Sequence, residues 1–222
     1  MNDELLELLK NKGANIVKFV DIRELPVRMR RQFNSAVLIG LVLSPEYIYR
    51  ISAEKITDYS EFGQKENAAD RIAEWTADYI IAKGYPAFAQ SENNNFSCGF
   101  FDCQNKSSVL PHKAVALLSG IGWIGKDNLL VTKEYGSALC MCSVLTNAPL
   151  MAECHPMMKP HCGNCRICKD ICPRQVIHGN AWSHTTSRED LVDVFQCECC
   201  LKCLAYCPWT QRYMRIHCHQ NP

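Results

Sequence analysis

Cys162-Gly-Asn-Cys165-Arg-Ile-Cys168-Lys-Asp-Ile-Cys172-Pro173 decides the fold, and it has a second copy, Cys197-Glu-Cys-Cys200-Leu-Lys-Cys203-Leu-Ala-Tyr-Cys207-Pro208. Both runs share the same intervals, and a proline closes each. A thiolate every third residue can occupy three corners of one iron–sulfur cubane. The fourth cysteine, turned away by its proline, then reaches the neighbouring cluster. The spacing predicts two [4Fe–4S] clusters with crossed ligation: Cys162, Cys165, Cys168 and Cys207 on one, Cys197, Cys200, Cys203 and Cys172 on the other. Cys199 breaks no interval but stands beside Cys200 as a local competitor.

Two other uses of cysteine compete with this reading. A zinc ribbon takes two Cys-x2-Cys pairs, not three-cysteine runs each closed by Cys-Pro. A disulfide framework needs an oxidising compartment and usually a much smaller chain. Neither accounts for Pro173 and Pro208, so a zinc-binding interaction module ranks last.

The 222 residues allow one large domain, or a core domain with a small one. An apolar share of 47% is that of an ordinary globular protein. No window approaches the roughly 18 uninterrupted apolar residues of a membrane span, and Met1-Asn-Asp-Glu-Leu-Leu-Glu7 is acidic where a secretory signal is basic. Fifteen cysteines without an export signal imply a reducing cytoplasm, with thiols used for metal. A net charge of +1 leaves no nucleic-acid footprint. From His161 onward seven Lys and Arg stand against five Asp and Glu. That near balance favours a module serving its own attached domain over a carrier that docks by charge.

Leu5, Leu6, Leu8 and Leu9 predict a short helix ending near Gly13. Residues 16–20 and 36–43 read as strands, the second apolar almost throughout and therefore buried. Ile72, Trp75, Tyr79 and Ile80 recur at helical spacing, with Gly84 as the stop. Residues 85–89 form a short strand, and the Asn-rich residues 91–108 a long loop. Residues 111–118 return to helix, ended by Gly120. Residues 137–145 are a strand with Cys140 and Cys142 on one face. Residues 148–160 read as a linker, and 188–195 as a helix capped by Ser187 between the cysteine runs.

Gly120-Ile-Gly122-Trp-Ile-Gly125-Lys126 spells G-x-G-x-x-G, but a dinucleotide fingerprint follows a strand, opens a helix and has an acid about 20 residues on. Here a helical stretch precedes, a strand follows and position 140 is Cys. The phosphate-loop variant fails as well, because Asp127 stands where Ser or Thr would bind magnesium. Three glycines in six residues instead let backbone approach a bulky flat group.

Pro111-His112-Lys113-Ala-Val-Ala, Gly122-Trp123-Ile124-Gly125-Lys126, Leu129-Leu130-Val131, Glu134-Tyr135-Gly136-Ser137 and Val144-Leu145-Thr146 run in the order seen in epoxyqueuosine reductase, as do Cys162-Gly163-x-Cys165 and Cys207-Pro208-Trp209. The resemblance covers residues 60–212 and looks most like short homologues of that family, which is related to the reductive dehalogenases. It implies an α+β fold: a nitroreductase-like α/β domain over 1–150 that holds cobalamin, then a bacterial ferredoxin-like module with two [4Fe–4S] clusters over 151–222. The matched positions Lys113, Gly122, Trp123, Gly125, Lys126, Gly136 and Ser137 would bind the cofactor. There are two departures. The full-length enzyme resembled here has a C-terminal helical-repeat domain that helps grip tRNA, whereas this chain stops at Pro222. Its proton-donating Asp lies shortly before the Gly-Trp motif, where this chain has no acid between Asn105 and Lys113. Both count against tRNA as the substrate.

The leading expectation is an iron–sulfur oxidoreductase passing electrons to a flat cofactor, cobalamin first and flavin second. Its substrate is a small molecule or corrinoid, and its external electron donor a ferredoxin or flavodoxin. The rival is an electron-transfer or reductive-activation protein for a partner's corrinoid, with no cofactor of its own. His112 is the first candidate proton donor, against the plainer role of a helix-start histidine held by a neighbouring carbonyl. Asp102 is the second, against a solvated loop acid. Lys126 either meets a cofactor phosphate or carboxylate or is a turn lysine. Cys98 and Cys103 read as loop thiols, and Cys140 and Cys142 as core. Cys154-His155 and His217-Cys218-His219 could collect stray zinc. Trp123, Trp182 and Trp209 are packing residues, Trp209 shielding a cluster.

Overall fold

The computed structural model describes residues 1–55 and 58–218. Its first elements are α1 (Asn2–Asn11), β1 (Ile16–Asp21), α2 (Val27–Arg30), β2 (Ser35–Val42), α3 (Pro45–Ser52) and α4 (Ser60–Ala82). They are followed by β3 (Ala87–Ala89), α5 (Glu92–Ser97), β4 (Phe101–Asp102), β5 (Ser107–Ser108) and α6 (His112–Leu118). Then come β6 (Gly122–Ile124), β7 (Leu130–Thr132), β8 (Leu139–Thr146), α7 (Ile167–Ile171), α8 (Lys202–Tyr206) and α9 (Pro208–Cys218). No helix among the described residues is long and apolar enough to cross a membrane.

These elements form two compact units, each assembled from three separate segments. One comprises Met1–Leu41, Gln64–Gly120 and Cys140–Pro156; the other comprises Val42–Gly63, Ile121–Leu139 and Met157–Pro222. In the first, a four-stranded sheet runs in the order β1-β2-β8-β3, with β1 antiparallel to β2 and β3 antiparallel to β8. The central β2 is buried at every position from Ala36 to Val42, as its nearly continuous apolar run predicted. Val37, Ile39 and Leu41 share a core with Leu5 and Leu9 of α1, Ala69, Ile72, Ala73, Ala77 and Ile80 of α4, and Cys142 and Val144 of β8. The α4 stripe repeats at the three- and four-residue spacing of one helix face. Trp75 and Tyr79 lie at its edge, stacked with centroids 5.4 Å apart.

Three expectations are corrected. Residues 91–108 are not one loop: they fold into α5 and the β4–β5 hairpin, and Asn95 Nδ2 donates to Gln90 O to seat the helix. Residues 148–160 do more than link. Glu153 exchanges backbone hydrogen bonds with Asp21 N–H and Phe19 C=O, strapping the outer edge of β1. Residues 188–195 form no helix. Ser187 and Asp190 bond reciprocally, as at a helix start. After that single turn the backbone leaves to pair Val192 with Ile177, with His178 N–H donating to Leu191 O and Asp193 N–H to Val176 O. A long-range ladder displaces the local helix.

In the second unit, α9 packs on α3 and α8. Tyr213 OH donates to Leu43 O at 2.9 Å and Tyr206 OH to Ser52 O at 2.6 Å. The turn after β7 places Gly136 at φ +59°, where a Cβ would overlap the backbone of Thr210. Gly13 has φ +95° but open space around it. Replacing either by Ala carries the left-handed strain of about 1 kcal/mol or more, and only Gly136→Ala adds a backbone collision. Urea denaturation should place the Gly136→Ala midpoint clearly below that of Gly13→Ala; equal midpoints would contradict this packing.

Candidate functional site

The glycine motif forms a hairpin. β6 pairs antiparallel with β7 in the register Gly122↔Thr132, Trp123↔Val131 and Ile124↔Leu130. Gly125 N–H donates to Leu129 O, and the Asp127 carboxylate accepts from Leu129 N–H at 3.2 Å, closing the connecting loop. A Cβ at Gly122 would meet the carbonyl of Val131, and one at Gly125 would meet the Asp127 carboxylate. The glycines therefore accommodate the chain's own atoms.

This hairpin faces the first cysteine run. Lys126, 9% exposed, donates from Nζ to the Cys165 carbonyl at 3.0 Å. A cavity of about 170 Å³ is lined by Lys126, Asp127, His161, Trp209 and the four cysteines 162, 165, 168 and 207. Trp123 is fully buried, with its ring edge-on to His161 and Trp209 at 4.9 and 5.1 Å. Its indole N–H has no hydrogen-bond partner. Gly136 and Ser137 hold the start of α9, with Ser137 N–H donating to Thr210 Oγ1 at 2.9 Å.

The two runs are built alike. α7 carries Cys168 and ends at Cys172, α8 carries Cys203 and ends at Cys207, and both closing cysteines are extended, as the following proline requires. The two short helices pack together, and Cys168, Cys172 and Cys203 lie against Val176, Ile177 and Val192. Burial pushes the Cys168 thiol up to about 12 and Cys207 up to about 11, with the Asp127 charge next in each case. Cys203 is also raised, first by burial, then by Asp127, Cys200 and Cys197. Cys199 is exposed and left-handed at φ 51°. Among the described residues no three His, Cys, Asp or Glu side chains converge as on one metal ion. A cubane spreads its thiolates over four corners, wider than ligands about 2.3 Å from a single zinc. The thiol-lined cavity suits such a sulfur-rich group.

The positions matched to a cobalamin site are divided between the two units. Gly122, Trp123, Gly125, Lys126, Gly136 and Ser137 are all buried in the second unit, engaged with the cysteine loop or with α9. Lys113 lies in the first unit.

The candidate acids belong to the first unit. His112 opens α6, with Nδ1 3.1 Å from Ser143 Oγ. Desolvation pushes its imidazole down to about 4, so it is neutral near pH 7. Asp102 sits in the β4–β5 turn and accepts from Gln104 N–H, Asn105 N–H and Asn105 Nδ2. The Asn105 side chain leads in holding its pKa below the usual carboxylate value. The sequence offered no sign of Asp70. This α4 carboxylate accepts from Glu92 N–H at 2.8 Å and is raised by burial, with Cys142 among its partners. Only its place opposite β8 makes it unusual, and that is a tertiary fact. Cys142 and Cys140 are buried, while Cys98 and Cys103 are exposed, Cys98 Sγ accepting from Arg31 at 3.3 Å. His155 pairs with Glu153 at 3.0 Å. Trp182 packs on His184, and His219 lies outside the described residues.

No family model matches the chain. It is similar to epoxyqueuosine reductases, as the motifs implied. Against the enzyme of Atelocyanobacterium thalassa it is 36% identical over 106 residues, covering 46% of this chain and 33% of that one. The matched region is thus about a third of that relative's length. Among solved structures, epoxyqueuosine reductase with an epoxyqueuosine-modified tRNA-Tyr stem loop superposes with a TM-score of 0.62 at 17% identity, covering 95% of this chain and 65% of that one. A reductive dehalogenase described for B12-dependent dehalogenation gives 0.65 at 17%, covering 96% and 32%. The mixed helix-and-sheet fold is the one those proteins share.

His112 supplies a test of the first unit. Its depressed pKa means that the unfolded chain takes up a proton near 6.5 while the folded one waits until about 4. Stability is therefore full above pH 6.5 and is lost as pH falls toward 4. Denaturation midpoints across that window should fall less steeply for His112→Gln than for the parent; parallel slopes would contradict the assignment.

Proposed function

We propose that this protein is an iron–sulfur reductase of the epoxyqueuosine reductase kind, in which a nitroreductase-like domain receives electrons from a ferredoxin-like module. The observation that supports it most directly is the cavity where Cys162, Cys165 and Cys168 meet Cys207 from the other run. That is the membership the crossed spacing predicts. Cys197, Cys200, Cys203 and Cys172 would hold the second cluster. When bound, the clusters supply one-electron carriers.

The chain's own residues have definable tasks. Lys126 and the hairpin hold the first cysteine loop in position, and Trp209 and His161 line the cavity beside it, with Trp123 edge-on to both rings. Pro173 and Pro208 turn each closing cysteine outward into the extended conformation. In the first unit His112 is neutral near pH 7, Asp102 is held below the usual carboxylate value chiefly by Asn105, and burial pushes Asp70 up.

Cobalamin remains the favoured further cofactor, supported by fold likeness to a B12-dependent dehalogenase. The motif positions Lys113, Gly122, Trp123, Gly125, Lys126, Gly136 and Ser137 are the candidates for holding it. Flavin has no support beyond its flat shape. A tRNA substrate gains support from the likeness to a reductase solved with a modified stem loop, although the expected donor Asp is missing from its place before Gly122. The rival, a reductive activator of a partner's corrinoid, is less favoured because the relatives matched are themselves reductases. A ferredoxin or flavodoxin would supply electrons.

Anaerobically purified protein should carry about eight irons per chain, two cubanes' worth. Cys207→Ser should perturb the cluster of Cys162, Cys165 and Cys168, and Cys172→Ser the other, as read by low-temperature electron paramagnetic resonance. A chain holding zinc alone, or a Cys207→Ser variant altered only in the second cluster, would refute the reading.

A further inference from the structure

The hairpin between the two cysteine runs is built against local preference. Gln175 N–H donates to the Cys172 carbonyl at 3.1 Å, and Gln175 itself is left-handed at φ 52°, so the chain turns back straight after Pro173. That conformation is unfavourable for a residue carrying a Cβ. At the other end Ser187 and Asp190 form a helix start that the backbone abandons. Both departures serve one short ladder. In it Ile177 stands opposite Val192, His178 N–H donates to Leu191 O, and Asp193 N–H donates to Val176 O. Lys169 of α7 fastens its end, donating from Nζ to His178 O at 2.9 Å.

What the ladder presents is a small apolar surface. Val176, Ile177 and Val192 are buried, and the partly buried side chains packed on them are Val194 and three thiols, Cys168, Cys172 and Cys203. Cys168 lies in α7 and Cys172 ends that helix one turn later, yet the spacing assigns the two to different clusters. Cys203 of α8 belongs with Cys172. A single aliphatic surface therefore touches ligands of both sets. Elsewhere the second run is open to solvent, with Cys197 and Phe195 exposed. A cluster gains one negative charge on reduction, and water stabilises that charge. Apolar groups that keep water away hold the potential down.

Resting on the two-cluster reading above, we propose that Val176, Ile177 and Val192 form one dry wall shared by both clusters. It keeps water from the thiols where the two ligand sets adjoin, and so holds both reduction potentials low together. The strained turn at Gln175 and the abandoned helix at Ser187 are what the chain gives up to place that wall.

The test is a potentiometric titration of the anaerobic full chain, followed by electron paramagnetic resonance, with iron and sulfide measured on each sample. Val192→Thr keeps the branched shape and brings a hydroxyl to the wall. It should raise both midpoint potentials and, after exchange into D2O, strengthen the deuteron modulation of both signals. Ile177→Thr on the facing strand should do the same, whereas Ile177→Val, still apolar, should leave both potentials in place. Ser187→Ala removes the bond to Asp190 at the loop end of the hairpin; it should lower the urea midpoint and move neither potential. If Val192→Thr with full iron shifts neither potential, shifts one alone or lowers them, the proposal is overturned. A Ser187→Ala variant that moved both potentials would overturn it too, because loosening of the hairpin would then suffice. Should Val192→Thr lose iron, Ile177→Thr is read in its place, and loss from both marks the three side chains as packing only and overturns the wall. A parent protein without two iron–sulfur signals would overturn the cluster reading itself, and the wall with it.

Discussion

Lys126 Nζ sits 3.0 Å from the Cys165 carbonyl, in a place that solvent scarcely reaches. That hydrogen bond ties the β6–β7 hairpin to the first cysteine run, and much else in the second unit exists to allow it. Gly122 lets the two strands close on each other, Gly125 makes room for the neighbouring carboxylate, and Gly136 lets the backbone of Thr210 come close. Trp123 then fills the space behind, edge-on to His161 and Trp209. Without this buttress a loop of three cysteines has little local structure of its own, since α7 is barely more than one turn long. Thiolates that must meet a rigid cluster at fixed corners need their backbone held from outside the loop.

Much of this could be read from the chain, for reasons that are local. Cysteine intervals and Cys-Pro closures act over a few residues, so their geometry survives whatever surrounds them. The helices around Leu5 and Leu9 and around Ile72 and Ile80 announced themselves by period, and the strand from Ala36 by its unbroken apolar run. The glycine motif was legible only as a demand for close approach. Which atoms approach is a tertiary matter, and here they belong to Val131, Asp127 and Thr210. The helix anticipated after Ser187 failed similarly: its start signal is present, yet the backbone of residues 176–178 offers a competing ladder. His112 drew attention as a titrating group, but its desolvation beside Ser143 leaves it neutral, and Asp70 was invisible because nothing in a helical acid foretells burial.

The interior of the first unit is more polar than an α/β core needs to be. Gln90, Ser91, Asn95, Ser143 and Thr146 are all buried. The amide groups of Gln90 and Asn95 are oriented by donating to the carbonyls of Leu110 and Gln90, which leaves Gln90 Oε1 and Asn95 Oδ1 without donors. Unsatisfied acceptors of this kind weaken a core that could have been filled with apolar groups, so the polarity has a cost in stability. The second unit places its unsatisfied groups differently, at Trp123 Nε1 and Ser137 Oγ, close to the cysteine loop and the start of α9.

The interleaving of segments bears on how the protein is made. Residues 42–63 belong with α8 and α9, which leave the ribosome long after them, and Tyr206 and Tyr213 close on Ser52 and Leu43 only when the last helices exist. A nascent chain therefore cannot finish this half in the order of synthesis. Until α8 and α9 emerge, α3 and the β6–β7 hairpin lack their partners, and the thiols of the first run wait for Cys207. On the two-cluster reading proposed above, cluster assembly would have to wait until Cys207 is made, and a translation pause before Pro208 would leave Cys162, Cys165 and Cys168 without their fourth thiol.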